Sequence, residues 1–185
     1  MSRSLISVRN LSVQFRTDEG LVTAVDGTSF ELRDGEILGL VGESGSGKSV
    51  TAKSLMLLNP GNTVYGPESR IIMRDDENGG ELDVLSLTSA QDLKMIRGGA
   101  ISMIFQEPMA SFAPAITIGD QMVEQLLLHS SMSKRQARDL SVEMLNHVGI
   151  SDAQNRFNQY AFELSGGMRQ RAMIAMALST RPKLL

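Results

Sequence analysis

Gly42-Glu43-Ser44-Gly45-Ser46-Gly47-Lys48-Ser49 decides how this chain reads. The eight residues follow the apolar run Ile37-Leu38-Gly39-Leu40-Val41 and precede a helix-like segment from Val50 to Leu58. Strand, glycine-rich loop and helix form the context in which G-x-x-x-x-G-K-[ST] acts as a phosphate-binding loop. Glycine at 42, 45 and 47 can take positive φ without penalty and lets the backbone come close to an anion. Successive N–H groups and the first turn of the helix aim partial positive charge at the phosphates. In that arrangement Lys48 neutralises the β- and γ-phosphates, and the Ser49 hydroxyl ligates Mg²⁺. A Gly/Ser-rich loop that only reverses the chain has no need of the full pattern. The stretch therefore points to nucleoside triphosphate binding.

Composition sets the outer bounds. A chain of 185 residues suffices for one domain with a sizeable core, or for part of a larger one. The net charge of −3 gives no general attraction to nucleic acid. The absence of cysteine excludes disulfides, thiolate metal sites and a cysteine nucleophile, and fits a reducing compartment. The first residues, Met1-Ser2-Arg3-Ser4-Leu5-Ile6-Ser7, lack the apolar run of a signal peptide. Apolar runs such as Met173 to Leu178 are far shorter than the roughly 18 residues of a membrane span. A soluble chain is expected, with any membrane role coming through partner subunits.

Upstream of the loop, Leu5 to Arg16 alternates between apolar and polar residues and reads as a strand. A turn at Asp18-Glu19-Gly20 leads to a second strand region, Val22 to Leu32, and Arg33-Asp34-Gly35 turns into the run that feeds the loop. Phe15 reads as a core residue of the first strand, although an aromatic face can also stack on a purine. Downstream, Asn59-Pro60-Gly61-Asn62 stops the helix. Arg70 to Arg74 and Glu81 to Leu85 are expected to form a hairpin around the acidic turn Asp75 to Gly80, a solvated tip and not a metal site. Thr88, with Gln91 three residues on, suggests a capping box, and Ile101 to Phe105 reads as a short buried strand ending at Gln106.

After Pro114 the pattern becomes mostly helical. Ile118 to Leu128 carries Met122, Leu126 and Leu127 at helical spacing. Ser133 and Gln136 form a second capping box, opening a helix with Ala137, Leu140, Met144, Leu145 and Val148 on one face and Gly149 as its cap. His129 and His147 have no partners at metal spacing and read as surface or helix-end residues. Ser165 is a natural N-cap, and the N–H groups of Gly166, Gly167 and Met168 make an anion site at a helix start. Met168, Met173 and Met176 read as helix packing. Pro182 to Leu185 reads as the entry to another buried strand.

Three features in this order narrow the family: the phosphate loop, a strand ending in Gln106, and Leu164-Ser165-Gly166-Gly167 after a helical insert. The chain resembles the ATP-binding subunit of an ABC transporter. The wording Met103-Ile104-Phe105-Gln106-Glu107-Pro108-Met109 and Ser165 to Arg171 is similar to that of the oligopeptide, dipeptide and nickel importers, as are Ala24 to Gly27 and Thr117-Ile118-Gly119. The resemblance implies an α/β P-loop NTPase fold, an ABC nucleotide-binding domain with an N-terminal antiparallel β region, a helical insert and an incomplete core sheet. It divides the chain into residues 1–111 (β region and phosphate-loop core), 112–164 (helical subdomain) and 165–185 (signature helix and start of the Walker B strand).

By the same resemblance Phe15 stacks on adenine, reversing its reading as plain core. Gly42, Glu43, Ser44, Gly45, Ser46, Gly47, Lys48, Ser49 and Val50 surround the triphosphate of ATP. Ser49 and Gln106 serve Mg²⁺, with Gln106 also reaching the attacking water, and Gln106 and Lys48 are the catalytic candidates in this chain. Leu164, Ser165, Gly166, Gly167 and Met168 act in trans on ATP held by a second ATP-binding subunit, identical or not. A second helix N-terminus on the γ-phosphate adds charge stabilisation that one loop cannot supply alone.

The expected partners are that subunit, membrane permeases and, indirectly, an extracytoplasmic solute-binding protein, at the cytoplasmic face of the inner membrane and without nucleic acid. The alternatives are a soluble ABC ATPase acting on nucleic acid or ribosomes, and a nucleotide-binding remnant. Val50 stands where many relatives have threonine, Met168 replaces a general glutamine, and Ala113 an asparagine or serine. The Walker B Asp, the catalytic Glu and the switch His of the family have no counterpart in residues 1–185. The expectation is that this chain alone folds poorly and hydrolyses ATP no faster than background.

Overall fold

The computed structural model describes residues 4–75, 79–107 and 111–185. The expected hairpin tip at Asp76-Glu77-Asn78, and Pro108-Met109 of the importer-like wording, lie outside the described residues. The chain forms two compact units, Met1–Ser89 and Ala90–Leu185.

The first unit is built on a long antiparallel hairpin, β1 (Ser4–Thr17) and β2 (Gly20–Arg33), turning at Asp18-Glu19 as the sequence suggests. Alternation puts Ile6, Val8, Leu11 and Val13 inside. The alternation is not strict because β1 bulges between Val8 and Leu11, where Asn10 adopts φ 46° and its N–H donates to Ser29 Oγ at 2.9 Å. Asparagine tolerates that left-handed conformation better than most residues. The expected hairpin of β4 (Arg70–Asp75) and β5 (Gly80–Asp83) completes a sheet of order β2-β1-β4-β5, with β3 (Thr63–Tyr65) also paired to β1. All these pairings are antiparallel. A single turn of 3₁₀ helix, Val84–Ser86, follows β5.

Helix α1 (Lys48–Ser54) ends four residues earlier than expected. Its C-terminus closes through Leu57 N–H to the Ser54 carbonyl (3.2 Å) and Leu58 N–H to the Lys53 carbonyl (2.9 Å), with Leu57 at φ 52°. That is the bond pattern of a Schellman stop, formed here without glycine. The Asn59 amide secures it by donating to the Val50 carbonyl, Ser54 Oγ and the Tyr65 hydroxyl.

One expectation in this unit fails. Ile37 to Val41 is not a strand: it runs as irregular chain with Ile37 98% and Val41 94% exposed. An apolar run becomes a strand only when neighbours take up its N–H and C=O groups. Among the described residues none pairs with it.

The second unit is helical: α2 (Ala90–Ile96), α3 (Ile118–His129), α4 (Lys134–His147), the short α5 (Ala153–Arg156) and α6 (Gly166–Ser179). Helix α2 begins just after Ser89, close to the start expected from Thr88 and Gln91. Helices α3, α4 and α6 enclose a core that includes Ile118, Met122, Leu126, Ala137, Leu145, Phe157 and Met173. Leu127, expected on the buried face of α3, is exposed. Gly119 lets α3 pack on Phe157, because a Cβ there would lie 2.3 Å from the ring. The capping box of Ser133 and Gln136 is present. Gly149, at φ 76°, ends α4 with its own N–H on the Asn146 carbonyl and Ile150 N–H on the Leu145 carbonyl.

Ile101 to Phe105 is not the buried strand the sequence suggests. Only Ile101 makes bridges, parallel to Leu184 and to Arg97, while Ile104 and Phe105 are exposed. Ser102 N–H donates to the Leu184 carbonyl at 3.0 Å, so the chain starts a parallel ladder that stops after one residue pair. Among the described residues no helix is long and apolar enough to cross a membrane.

Candidate nucleotide-binding site

The phosphate loop lies in the first unit, between the irregular run Glu36–Glu43 and α1. Gly45 (φ 82°) and Gly47 (φ 83°) occupy the left-handed region, as expected for two of the three glycines. Gly42 is not at positive φ; a Cβ there would meet Ser46 Oγ at 2.6 Å, so that hydroxyl would have to turn away. Gly47 is constrained twice over. Besides its φ, a Cβ would lie 2.3 Å from the Ala24 carbonyl oxygen and 3.0 Å from a Val25 methyl. The backbone of β2 is thus the floor on which the loop turns into α1, and no spacing in the sequence signals that contact.

Lys48 folds back over the loop. Its Nζ donates to the carbonyls of Gly42 (2.8 Å) and Glu43 (2.6 Å) and to Ser46 Oγ (3.2 Å). The ammonium therefore sits at the centre of the loop with all three protons engaged. Ser46 N–H closes a tight turn on the Glu43 carbonyl (3.2 Å), and Thr51 N–H on the Gly47 carbonyl starts α1 (2.8 Å). Ser44, Ser46 and Ser49 are exposed, and Val50 is half-buried. The exposed Ser49 hydroxyl fits Mg²⁺, which keeps most of its waters and takes few protein ligands next to phosphates.

Phe15 lies in β1 opposite Val22 of β2 and Thr63 of β3, half-buried. Val13, two residues before it, is opposite Val25, the residue beneath Gly47. Along the strand this places Phe15 about 7 Å from the register position that supports the loop.

The other two sequence features belong to the second unit. Gln106 is exposed, in a bend at the end of the irregular segment that follows Ile101. Leu164 is buried and anchors the start of α6, where Ser165 caps the helix by accepting the Met168 N–H at 3.4 Å. Gly166 and Gly167 are exposed, and a Cβ on either would meet nothing within 4 Å. Arg171, one turn further on, ties α6 to the end of α4 by donating to the Gly149 carbonyl at 2.9 Å.

Residues 25–185 match the profile of the family described as ABC transporter. The chain belongs to the ABC transporter family. Among known ABC proteins it is 48% identical to the oligopeptide transport ATP-binding protein OppD of Escherichia coli (strain K12), covering 98% of this chain and 51% of that one. It is 46% identical to the dipeptide transport ATP-binding protein DppD of Bacillus subtilis (strain 168), covering 98% and 52% respectively. The chain spans about half the length of the curated relatives it matches. Its fold is that of the ABC cassette MJ0796, solved as a dimer: the TM-score is 0.78 at 23% identity, over 96% of this chain and 70% of that one. The α/β P-loop NTPase fold expected from the sequence is therefore the fold observed.

Proposed function

We propose that this chain is the nucleotide-binding part of an ATP-binding subunit that powers import of peptides or similar small solutes across the cytoplasmic membrane. The observation that carries the reading is the loop Gly42–Ser49, seated on Ala24 and closed around the Lys48 ammonium, in a chain close to half identical to peptide transport ATP-binding proteins. In this reading the triphosphate lies along the loop, with Ser49 toward Mg²⁺ and Phe15 beneath the adenine. Lys48 and the loop N–H groups neutralise phosphate charge, which is most of what a phosphoryl-transfer site has to do. Gln106 would orient the attacking water and, with Ser49, serve the metal. Ser165, Gly166 and Gly167 contribute a helix N-terminus to the γ-phosphate on a second subunit, so the working unit is a dimer. Peripheral attachment to the inner membrane comes through permease subunits, and an extracytoplasmic binding protein delivers the solute.

We further propose that residues 1–185 taken by themselves bind ATP without turning it over, and metal-dependent hydrolysis by the purified chain would refute that. In the complete subunit, Lys48→Ala should abolish ATP binding, measured by equilibrium titration with a fluorescent nucleotide; unchanged affinity would refute the assignment. A role on nucleic acid or ribosomes is disfavoured by the net charge of −3.

A further inference from the structure

The turn between α2 and Ile101 sets the direction in which the chain leaves for Gln106, and it is built with little freedom. Arg97 N–H still bonds within α2, to the Leu93 carbonyl (2.8 Å). Ala100 and Ile101 then donate back to the Met95 and Ile96 carbonyls (3.0 and 2.9 Å), and Gly98 N–H donates forward to the Ile101 carbonyl (2.8 Å). Gly98 is at φ 77°. From the far side the turn is held by Leu184, whose N–H reaches the Ala100 carbonyl and whose carbonyl accepts from Ser102.

The last residue of α3, His129, covers the two glycines of this turn. A Cβ at Gly98 would lie 3.0 Å from His129 Nε2, and one at Gly99 would lie 3.4 Å from Nδ1. Gln125, one helical turn earlier on α3, lines the same contact, 3.6 Å from the Gly98 position. Gly99 is closed on its other side as well, where a Cβ would be 2.5 Å from the Met95 carbonyl oxygen. The ring is half-buried, and the charged group on α2 whose field reaches it is Lys94. Both act against a proton on the imidazole, desolvation more than Lys94, so His129 packs here as a neutral ring. At the C-terminal end of a helix a histidine would ordinarily gain from being charged. Its use as a neutral packing surface is the notable choice.

We infer that His129 is a positioning residue for Gln106: its imidazole fixes the Gly98-Gly99 turn, and the turn fixes the exit of the segment that carries the glutamine. The inference rests on the proposed role of Gln106 in hydrolysis. Four residues separate Ile101 from Gln106, and beyond Ser102 the segment makes no ladder. The orientation of its stem is therefore the main constraint on where Gln106 goes.

The test uses the complete subunit assembled with its membrane partners, carrying His129→Ala or His129→Gln. With His129→Ala, amide exchange at Ala100, Ile101 and Ser102 should speed up by about tenfold as the turn loosens. ATP turnover should fall severalfold in kcat while the KM for ATP stays within about twofold, because the phosphate loop is untouched. His129→Gln, which keeps a polar group of similar reach over the glycines, should restore most of both and also serves if the alanine variant does not assemble. Unchanged exchange at 100–102, or KM rising in step with the loss of kcat, would overturn the inference. Gln106→Ala is measured in parallel. If it leaves turnover intact, the role of Gln106 fails, while the exchange data still decide whether His129 holds the turn.

Discussion

The chain contains two glycine-rich starts to a helix, and they use glycine for opposite reasons. At Gly45-Ser46-Gly47 the glycines are required by the chain itself: both take positive φ, and a Cβ on Gly47 would run into the Ala24 carbonyl. At Ser165-Gly166-Gly167 nothing among the described residues requires them. Neither is at positive φ, neither would crowd a neighbour, and the serine already caps the helix. Glycine weakens a helix relative to alanine by about 1 kcal/mol. A pair of glycines with no internal use is what a backbone needs when something outside the chain has to come close. The comparison thus separates a loop shaped by its own fold from one with room for contact, which the proposed role of the signature on nucleotide bound elsewhere would use.

The comparison can be broken most directly at Gly47. Gly47→Ala should cost about 3 kcal/mol or more, since it combines left-handed strain with a backbone collision. Chemical denaturation of the complete subunit would read this as a clear drop in midpoint, accompanied by lost nucleotide binding. Gly166→Ala and Gly167→Ala should do the reverse, leaving stability unchanged or raising it by up to about 1 kcal/mol. Turnover in the assembled dimer should nonetheless fall by about a hundredfold if the γ-phosphate loses its second helix N-terminus. A stability loss in those variants would mean that the fold needs the glycines after all. Ser165→Ala sharpens the same contrast, removing the cap at a cost of about 1 kcal/mol, visible as a small downward shift in Tm.

The smallest effect is one of pH. The folded state holds His129 below its ordinary value of 6.5, so below that value the unfolded chain binds the proton more readily. The contribution of His129 is therefore full above about pH 6.5 and is lost as pH falls through its lower folded value. Denaturant midpoints measured across that window should show a step that His129→Gln lacks.

What could be read in advance follows the range of the interactions involved. The β1–β2 hairpin, the β4–β5 pair, the Ser133 box and the caps at Ser165 and Gly149 are local, and the sequence shows each of them. The failures are of two kinds. Ile37–Val41 and Ile101–Phe105 have the apolar run of a buried strand, yet a run states a preference for burial and says nothing of who supplies the partner. The missed strand β3 has the opposite problem, since three residues beside Pro60-Gly61 carry too little pattern and pair only because β1 extends past them. At the site the loop residues were legible from spacing. The floor beneath Gly47, the ring against Gly119 and the imidazole over Gly98-Gly99 were not, because each joins residues distant in sequence by shape alone.

The three bonds of the Lys48 ammonium carry one more consequence. With Gly42, Glu43 and Ser46 already occupying its protons, a phosphate oxygen bound there as proposed would displace an acceptor that is present and would not fill an empty valence. Binding at that atom would be a substitution, and the longest of the three bonds, to Ser46 Oγ at 3.2 Å, is the one expected to give way. The loop is thereby preorganised, its ordering entropy spent during folding and not at encounter.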